Sequence, residues 1–265
     1  LITEAGVSFN TNDRLLVSSA QNFPVELLFL RDDDIPQYVY DGVADIGIVG
    51  ENVVLEKCNK LKIVKRLGFG KCRMSLAVPK TADYKNPGWL KNKKIATSYP
   101  NILQRFLTSK KIKAEIHEIS GSVEIAPGIG LADCIFDIVS TGSTLISNGL
   151  KEVETVIKSE AVIVSKNDQV NGKKSILNKL LFRIEAVQRS KNNKYILLNA
   201  PDNKIDAICK ILPGMKSPTI MPLAHKGWSS LHSVITENDF WEVIDKLKAN
   251  GAEGILVVPI EKMIL

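Results

Sequence analysis

Ile135-Phe136-Asp137-Ile138-Val139-Ser140-Thr141-Gly142-Ser143-Thr144-Leu145 is an apolar run that ends in a hydroxyl-rich glycine turn. Residues 135–139 read as a buried strand, and the turn opens a short helix that runs through Leu145. Backbone N–H groups at such a helix start, with the hydroxyls of Thr141, Ser143 and Thr144, form a concave set of donors for a phosphate monoester. Gly142 lets the backbone come close because no side chain intervenes. Asp137, at the end of the strand, has the wrong charge for phosphate but suits the two hydroxyls of a ribose. Together they point to a sugar phosphate, while an ordinary Ser/Thr helix cap would use the same residues.

Outward from this stretch, short strands alternate with helical segments, which predicts an α/β protein with largely parallel sheets. Residues 45–49 (Asp-Ile-Gly-Ile-Val) read as a strand ending at Gly50. A short helix precedes it, capped by Asp33 or Asp34, with Pro36 in its first turn and Gly42 at its end. Residues 74–78 form another strand, and the Pro/Lys/Gly-rich residues 79–89 cross out of the first lobe. A strand at residues 94–97 then meets a helix capped by Ser98, with Pro100 in its first turn and Ile102, Leu103, Phe106 and Leu107 on its apolar face. This helix start too could hold an anion or be a plain cap. Strands follow at 153–157 and 161–165, the second returning the chain to the first lobe, and a helix with core periodicity covers 174–188.

The polar, basic residues 189–194 read as a linker. Beyond them the order is strand (195–200), helix (202–212), strand (219–223), strand (229–235), helix (239–249), strand (254–259), the βαββαβ pattern of a ferredoxin-like domain. Small domains of this kind often pair edge to edge and bind an effector at the seam. The predicted organisation is therefore lobe I at 1–79 with 160–188, lobe II at 80–159 carrying the phosphate loop, and a C-terminal domain at 189–265. Two α/β lobes joined by crossing strands leave a cleft for a ligand.

With 265 residues, 45% of them apolar and 24% charged, the chain can bury substantial cores. No run approaches the roughly 20 apolar residues of a membrane span, the first residues lack the pattern of a signal peptide, and a cytoplasmic protein is the simplest reading. The formal charge of +6 comes from scattered lysines without interleaved aromatics, which suits anionic small molecules rather than nucleic acid. Cys58, Cys72, Cys134 and Cys209 are too far apart for a zinc or disulfide framework and read as reduced, mostly buried thiols. His117, His225 and His232 have no ligand spacing.

Extended backwards, the opening stretch gives Glu124, Gly130, Ala132, Ile135, Asp137 and Thr141-Gly142-Ser143-Thr144-Leu145, which resembles the signature of the ATP phosphoribosyltransferases. Arg31-Asp32-Asp33-Asp34-Ile35-Pro36, residues 45–52, Ile95-Ala96-Thr97-Ser98-Tyr99-Pro100 and Val258-Pro259-Ile260-Glu261-Lys262-Met263 are similar to the long form of that family, in the right order along nearly the whole chain. The resemblance implies an α/β fold with two lobes like periplasmic binding proteins and a ferredoxin-like regulatory domain. It implies that ATP and phosphoribosyl pyrophosphate (PRPP) condense, with Mg2+, to phosphoribosyl-ATP and pyrophosphate, the first step of histidine biosynthesis. Histidine as inhibitor and a homo-oligomer, dimer to hexamer, are implied as well.

Adenine N1 already carries a lone pair, so the reaction needs positioning and stabilisation of the leaving charge rather than a catalytic triad. Thr141, Gly142, Ser143 and Thr144 would hold the 5-phosphate and Asp137 the ribose hydroxyls. Glu124 would orient ribose or a magnesium-bound water. Arg31 is the candidate for the pyrophosphate, because a guanidinium meets phosphate oxygens with two parallel bonds. Arg73, after the Gly68-Phe69-Gly70 turn, and Ser98 and Tyr99 are candidate nucleotide or phosphate contacts, each with a structural role as the competing reading. Resemblance also places a histidine pocket near residues 213–219, including Met215 and Thr219, and near Gly254.

The family normally opens with a strand and a Lys-x-Gly-Arg-Leu-Ser segment, whereas this chain starts at Leu1-Ile2-Thr3-Glu4-Ala5-Gly6, which matches what should come next. The expectation is a truncated or incompletely recorded enzyme, or a damaged copy with weakened catalysis. The rival from another class is a non-catalytic protein whose lobes close on an anion or nucleotide. A phosphoribosyltransferase for another base is disfavoured, since only one acid, Asp137, precedes the loop.

Overall fold

The computed structural model describes residues 1–10, 15–58, 60–166, 172–212 and 214–265. Its backbone contacts divide the chain into two units, one built on Leu28–Lys174 with residues 15–17, the other on Ser175–Leu265 with residues 1–10 and Ser18–Leu27.

The first unit holds two sheets. In the three-stranded sheet, Ala161–Ser165 lies between Gly47–Gly50 and Lys62–Arg66 and is antiparallel to both. Val162, Ile163 and Val164 are fully buried, as befits a central strand. The helix Ile35–Tyr40 packs so closely on this sheet that a Cβ on Gly47 would stand 2.6 Å from Ile35 Cγ2 and 2.9 Å from Val39 Cγ2. Glycine is the residue that permits this approach. Asp34 occupies the N-cap position of that helix, but its side chain makes no capping bond.

The five-stranded sheet has the order Glu115–Glu118, Lys94–Thr97, Cys134–Val139, Cys72–Pro79, Leu150–Ser159. Lys94–Thr97 is parallel to both its neighbours, while Cys72–Pro79 is antiparallel to both of its own. The expectation of largely parallel sheets is thus corrected. Parallel pairs form where a helical crossover such as Pro100–Lys110 returns the chain to the same end. Cys72–Pro79, which carries the chain into this sheet, runs against the other four strands. One sheet face is covered by Pro100–Lys110 through Ile102, Leu103, Phe106 and Leu107 against Met74, Leu76, Ile95 and Phe136. The other packs Ala77, Ala96, Ile135 and Val139 with Val123, Ala126 and Leu145.

Ser98 does not cap the Pro100–Lys110 helix; Tyr99 holds the cap position, without a side-chain bond. The free N–H donors of its first turn are met by Glu56, on the helix Glu51–Lys57. Asn101 N–H donates to Glu56 Oε1 at 2.8 Å and Ile102 N–H to Oε2 at 2.9 Å. The carboxylate is 5% exposed, and a buried anion suits the positive end of a helix.

In the second unit the helix Lys174–Lys191 runs almost directly into the strand Asn193–Pro201. The expected linker at 189–194 is therefore the end of that helix, a single turn residue and the start of the strand. Arg189 and Lys191 favour the negative end of the helix, Arg189 lies 3.7 Å from Glu185, and Ser190 Oγ donates to Val187 O and Glu261 O. The remaining elements form an antiparallel sheet in the order Thr219–Pro222, Trp228–Thr236, Asn193–Pro201, Glu253–Pro259. The helices Ile205–Ile211 and Glu237–Ala249 pack Ile208, Phe240 and Leu247 against Ile196, Leu198 and Leu231. This is the ferredoxin-like arrangement. Of the four free cysteines only Cys134 is buried, the other three being partly exposed. Among the described residues no helix is long and apolar enough to cross a membrane.

Glu56→Ala leaves two helix-terminal N–H groups, one of them buried, without an acceptor. It is expected to lower the unfolding free energy by about 2 kcal/mol, read as a lower urea midpoint at unchanged slope.

Candidate active site

The strand Cys134–Val139, central in the five-stranded sheet, delivers the hydroxyl-rich turn at its carboxyl end. Gly142 has φ +84°, a left-handed value that a side chain would strain, and it caps the helix Ser143–Ser147. Leu145 is buried and anchors that helix, while Thr141, Ser143 and Thr144 are exposed. Thr141 Oγ1 and Ser143 Oγ share a hydrogen bond of 3.1 Å. Three exposed hydroxyls thus cluster in sequence at the amino end of this short helix.

Arg73 stands behind this turn. Its Nε and Nη2 each bond a Glu152 oxygen at 2.5 Å, and its Nη1 donates to Ser140 O at 3.0 Å. Ser75 Oγ donates to the same carboxylate at 2.8 Å, and hydrogen bonding from Arg73 holds the Glu152 carboxyl below its usual range. Most of the guanidinium's donors are spent on the protein, so the geometry makes Arg73 a strut for the loop.

Asp137 is half-buried, with Oδ1 accepting the Ile138 N–H at 2.8 Å. Burial pushes its carboxyl up to about 6, the Ile138 N–H opposes the rise, and the charge of Glu124 adds to it. The charge of one predicted acid thus bears on the titration of the other. Glu124 sits on the turn Val123–Ile125. Ser98 helps to place that turn: its Oγ donates to Ile119 O at 2.7 Å and accepts from Gly121 N–H at 3.3 Å.

Tyr99 is half-buried, and its phenol is pushed up to about 12, by burial first and then by the charges of Asp137 and Asp33. The Asn52 side chain opposes that rise by hydrogen bonding. Asn52 is in turn fixed by Ser159, whose Oγ donates to Asn52 Oδ1 at 2.9 Å and accepts the Asn52 N–H at 3.0 Å. Tyr99 thus remains a neutral donor at the site. Arg31 lies on the exposed turn before Ile35–Tyr40, with no ion pair among the described residues; on the same turn Asp33 reaches Lys57 at 3.4 Å. The charge of Asp33, on this turn, reaches the Tyr99 phenol.

Glu56, Asn52, Glu152 and Ser159 are the residues that sequence reasoning missed. Asn52 fell within a quoted motif, but Glu152 is far from Arg73 in sequence and carries no local signal. Among the described residues no three His, Cys, Asp or Glu groups converge as a metal cage. A pair of carboxylates beside a phosphate loop does suit a hard cation carried mainly by substrate phosphates.

In the second unit, Met215 is exposed and Thr219 pairs with His232. Thr219 begins one edge strand of the sheet, whereas Gly254 lies on the opposite edge strand. The three predicted effector contacts do not converge within one chain. Pro213, predicted with them, lies outside the described residues. Ser233 Oγ is buried without a hydrogen-bond partner among the described residues, 2.6 Å from where a Cβ on Gly214 would stand.

A hydroxyl-rich glycine turn at a helix start, with a half-buried carboxylate on the strand before it, is an arrangement suited to an α/β enzyme acting on phosphorylated sugars. Residues 31–186 match the ATP phosphoribosyltransferase family, and residues 190–262 match the HisG C-terminal domain. The ATP phosphoribosyltransferases of Parabacteroides distasonis and Phocaeicola vulgatus are 61% and 59% identical, each over all of this chain and 94% of their own length. Among solved structures, the ATP phosphoribosyl transferase (HisG:HisZ) complex from Thermotoga maritima superposes with a TM-score of 0.60 at 33% identity, covering 69% of this chain and 90% of that one. The chain belongs to the ATP phosphoribosyltransferase family, the pentosyltransferases that open histidine biosynthesis.

Arg73→Lys keeps the charge but cannot span Glu152 and Ser140 together. Binding of ribose 5-phosphate, followed by calorimetry, is expected to weaken about tenfold, or about 1.4 kcal/mol. Wild-type affinity in that variant would mean the loop keeps its shape without the strut.

Proposed function

We propose that the chain joins ATP to PRPP with the labour divided as follows. Adenine N1 attacks ribose C1 as the bond to pyrophosphate breaks, giving phosphoribosyl-ATP and pyrophosphate. The Thr141–Thr144 turn holds the 5-phosphate, and Asp137 accepts hydrogen bonds from the ribose hydroxyls. The observation that carries this reading is the half-buried Asp137 carboxylate directly before the hydroxyl-lined turn, a pairing suited to a phosphorylated ribose. Tyr99 donates a hydrogen bond at the site, and Arg31 meets pyrophosphate oxygens. Glu124 and Asp137 would face a divalent metal, Mg2+, that arrives on the substrate phosphates; when bound it offsets the charge of the departing pyrophosphate. A cytoplasmic setting supplies both substrates.

For the C-terminal domain we propose histidine as inhibitor. Gly254 and the Met215–Thr219 segment lie on opposite edges, so one pocket can use both only where two copies meet edge to edge. This favours a homo-oligomer, a dimer within a hexamer. The unpartnered Ser233 hydroxyl beside Gly214 is one polar group that an effector near the 214–219 segment could satisfy.

Pyrophosphate release that requires both ATP and PRPP, and falls with added histidine, is the expected outcome with the purified chain. Release without PRPP, or none from protein that binds PRPP, would overturn the catalytic reading. Only ionised Asp137 can accept both ribose hydroxyls, so PRPP affinity should be full above about pH 6 and fall below it. Glu124→Gln removes a charge that raises the Asp137 pKa, so the acid limb should move to lower pH. The substrate's own titration is common to both proteins, and coincident limbs would remove Asp137 from this role.

A further inference from the structure

Four cations meet beside the phosphate turn. Arg66, Lys71, Arg73 and Lys158, with Ser140 and Glu160, line an open pocket of about 500 Å³, a volume in the range of small-molecule sites. Arg73 and Lys158 are direct cross-strand partners. Their side chains therefore leave the sheet on the same face, and like charges set directly opposite one another destabilise a sheet. Asp137 lies on that face too, since Val139 pairs with Arg73 and Asp137 with Ser75, alternate positions on both strands. Ser140, directly before the hydroxyl-lined turn, is among the residues that line the pocket.

Two of the four charges are answered within the protein. Glu152 takes Arg73, and Glu51 takes Arg66, with Glu160 at 3.7 Å from the same guanidinium. Lys71 and Lys158 are exposed and have no ion pair among the described residues. A sheet that sets Lys158 opposite Arg73 and leaves a further lysine at the same rim bears a local electrostatic cost that a multiply charged anion would remove.

We infer that this pocket is a polyphosphate subsite, with Lys158 and Lys71 as its binding cations. The inference rests on the phosphoribosyl-transfer reading, which brings two polyphosphates to the site: the triphosphate of the nucleotide and the pyrophosphate that leaves the sugar. The 5-phosphate is already served by the Thr141–Thr144 turn.

The test is direct binding to the full chain, without turnover. Pyrophosphate, ATP and ribose 5-phosphate are titrated separately into the wild type, Lys158→Gln and Lys71→Gln. Each variant is expected to weaken pyrophosphate or ATP about tenfold and to leave ribose 5-phosphate within twofold. A loss on ATP alone assigns the pocket to the nucleotide tail, and a loss that includes pyrophosphate assigns it to the leaving group. Unchanged affinity for both polyphosphates, or an equal loss for ribose 5-phosphate, overturns the inference. The thermal midpoint of Lys158→Gln should stand at or above that of the wild type, because the like-charged pair is gone. A lower midpoint would show that Lys158 has a native partner and would remove the premise. Failure of the wild type to turn over would count against phosphoribosyl transfer alone, since binding is read without it.

Discussion

The buried carboxylate of Glu56 on the amino end of the Pro100–Lys110 helix is the interaction on which the arrangement of the site depends. It joins a helix of the three-stranded sheet to a helix of the five-stranded one, replacing the cap that the second helix does not carry itself. The Leu55 carbonyl, accepting from Arg105, adds a second tie between the same helices. Tyr99 sits immediately before this helix, so fixing the helix start also fixes the phenol that faces Asp137. A charge removed from water in this way is costly unless it is well paired, and here two short bonds from a helix terminus compensate it.

The chemistry of the site follows from keeping its groups in different states. Asp137 is raised only to about 6 and so remains an anion at neutral pH, able to accept. Tyr99, raised to about 12, remains neutral and able to donate. Neither is placed to act as a strong base, which agrees with a nucleophile that needs no deprotonation. What the protein supplies is orientation and fixed charge, the contributions most useful when a multiply charged group departs.

Much of this was legible in the sequence because the signals are local. The Cys134–Val139 strand, its Gly142 turn and the order of elements in the last third of the chain all follow from apolar periodicity and glycine placement within a dozen residues. The misreadings share one physical origin. Ser98 looked like a cap because it precedes Pro100, yet the acceptor came from Glu56, and nothing near Pro100 announces a carboxylate from another helix. Nor does anything near Arg73 announce Glu152, which lies across the sheet in a strand reached much later. Residues 189–194 looked like a linker because they are polar and basic, a composition that equally suits the last turn of a helix. Strand direction was misjudged because alternation of strands and helices says nothing of the strands that carry the chain between sheets.

The position of Thr219 and Gly254 on opposite edges of one four-stranded sheet has a thermodynamic consequence. A ligand that needs both edges recognises no single chain; it recognises a junction. Its binding is then linked by mass action to self-association, and by reciprocity the ligand strengthens the assembly by the same factor that assembly strengthens the ligand. Dilution would act as an antagonist of such an effector, and the amount of protein present would set the threshold at which it is sensed.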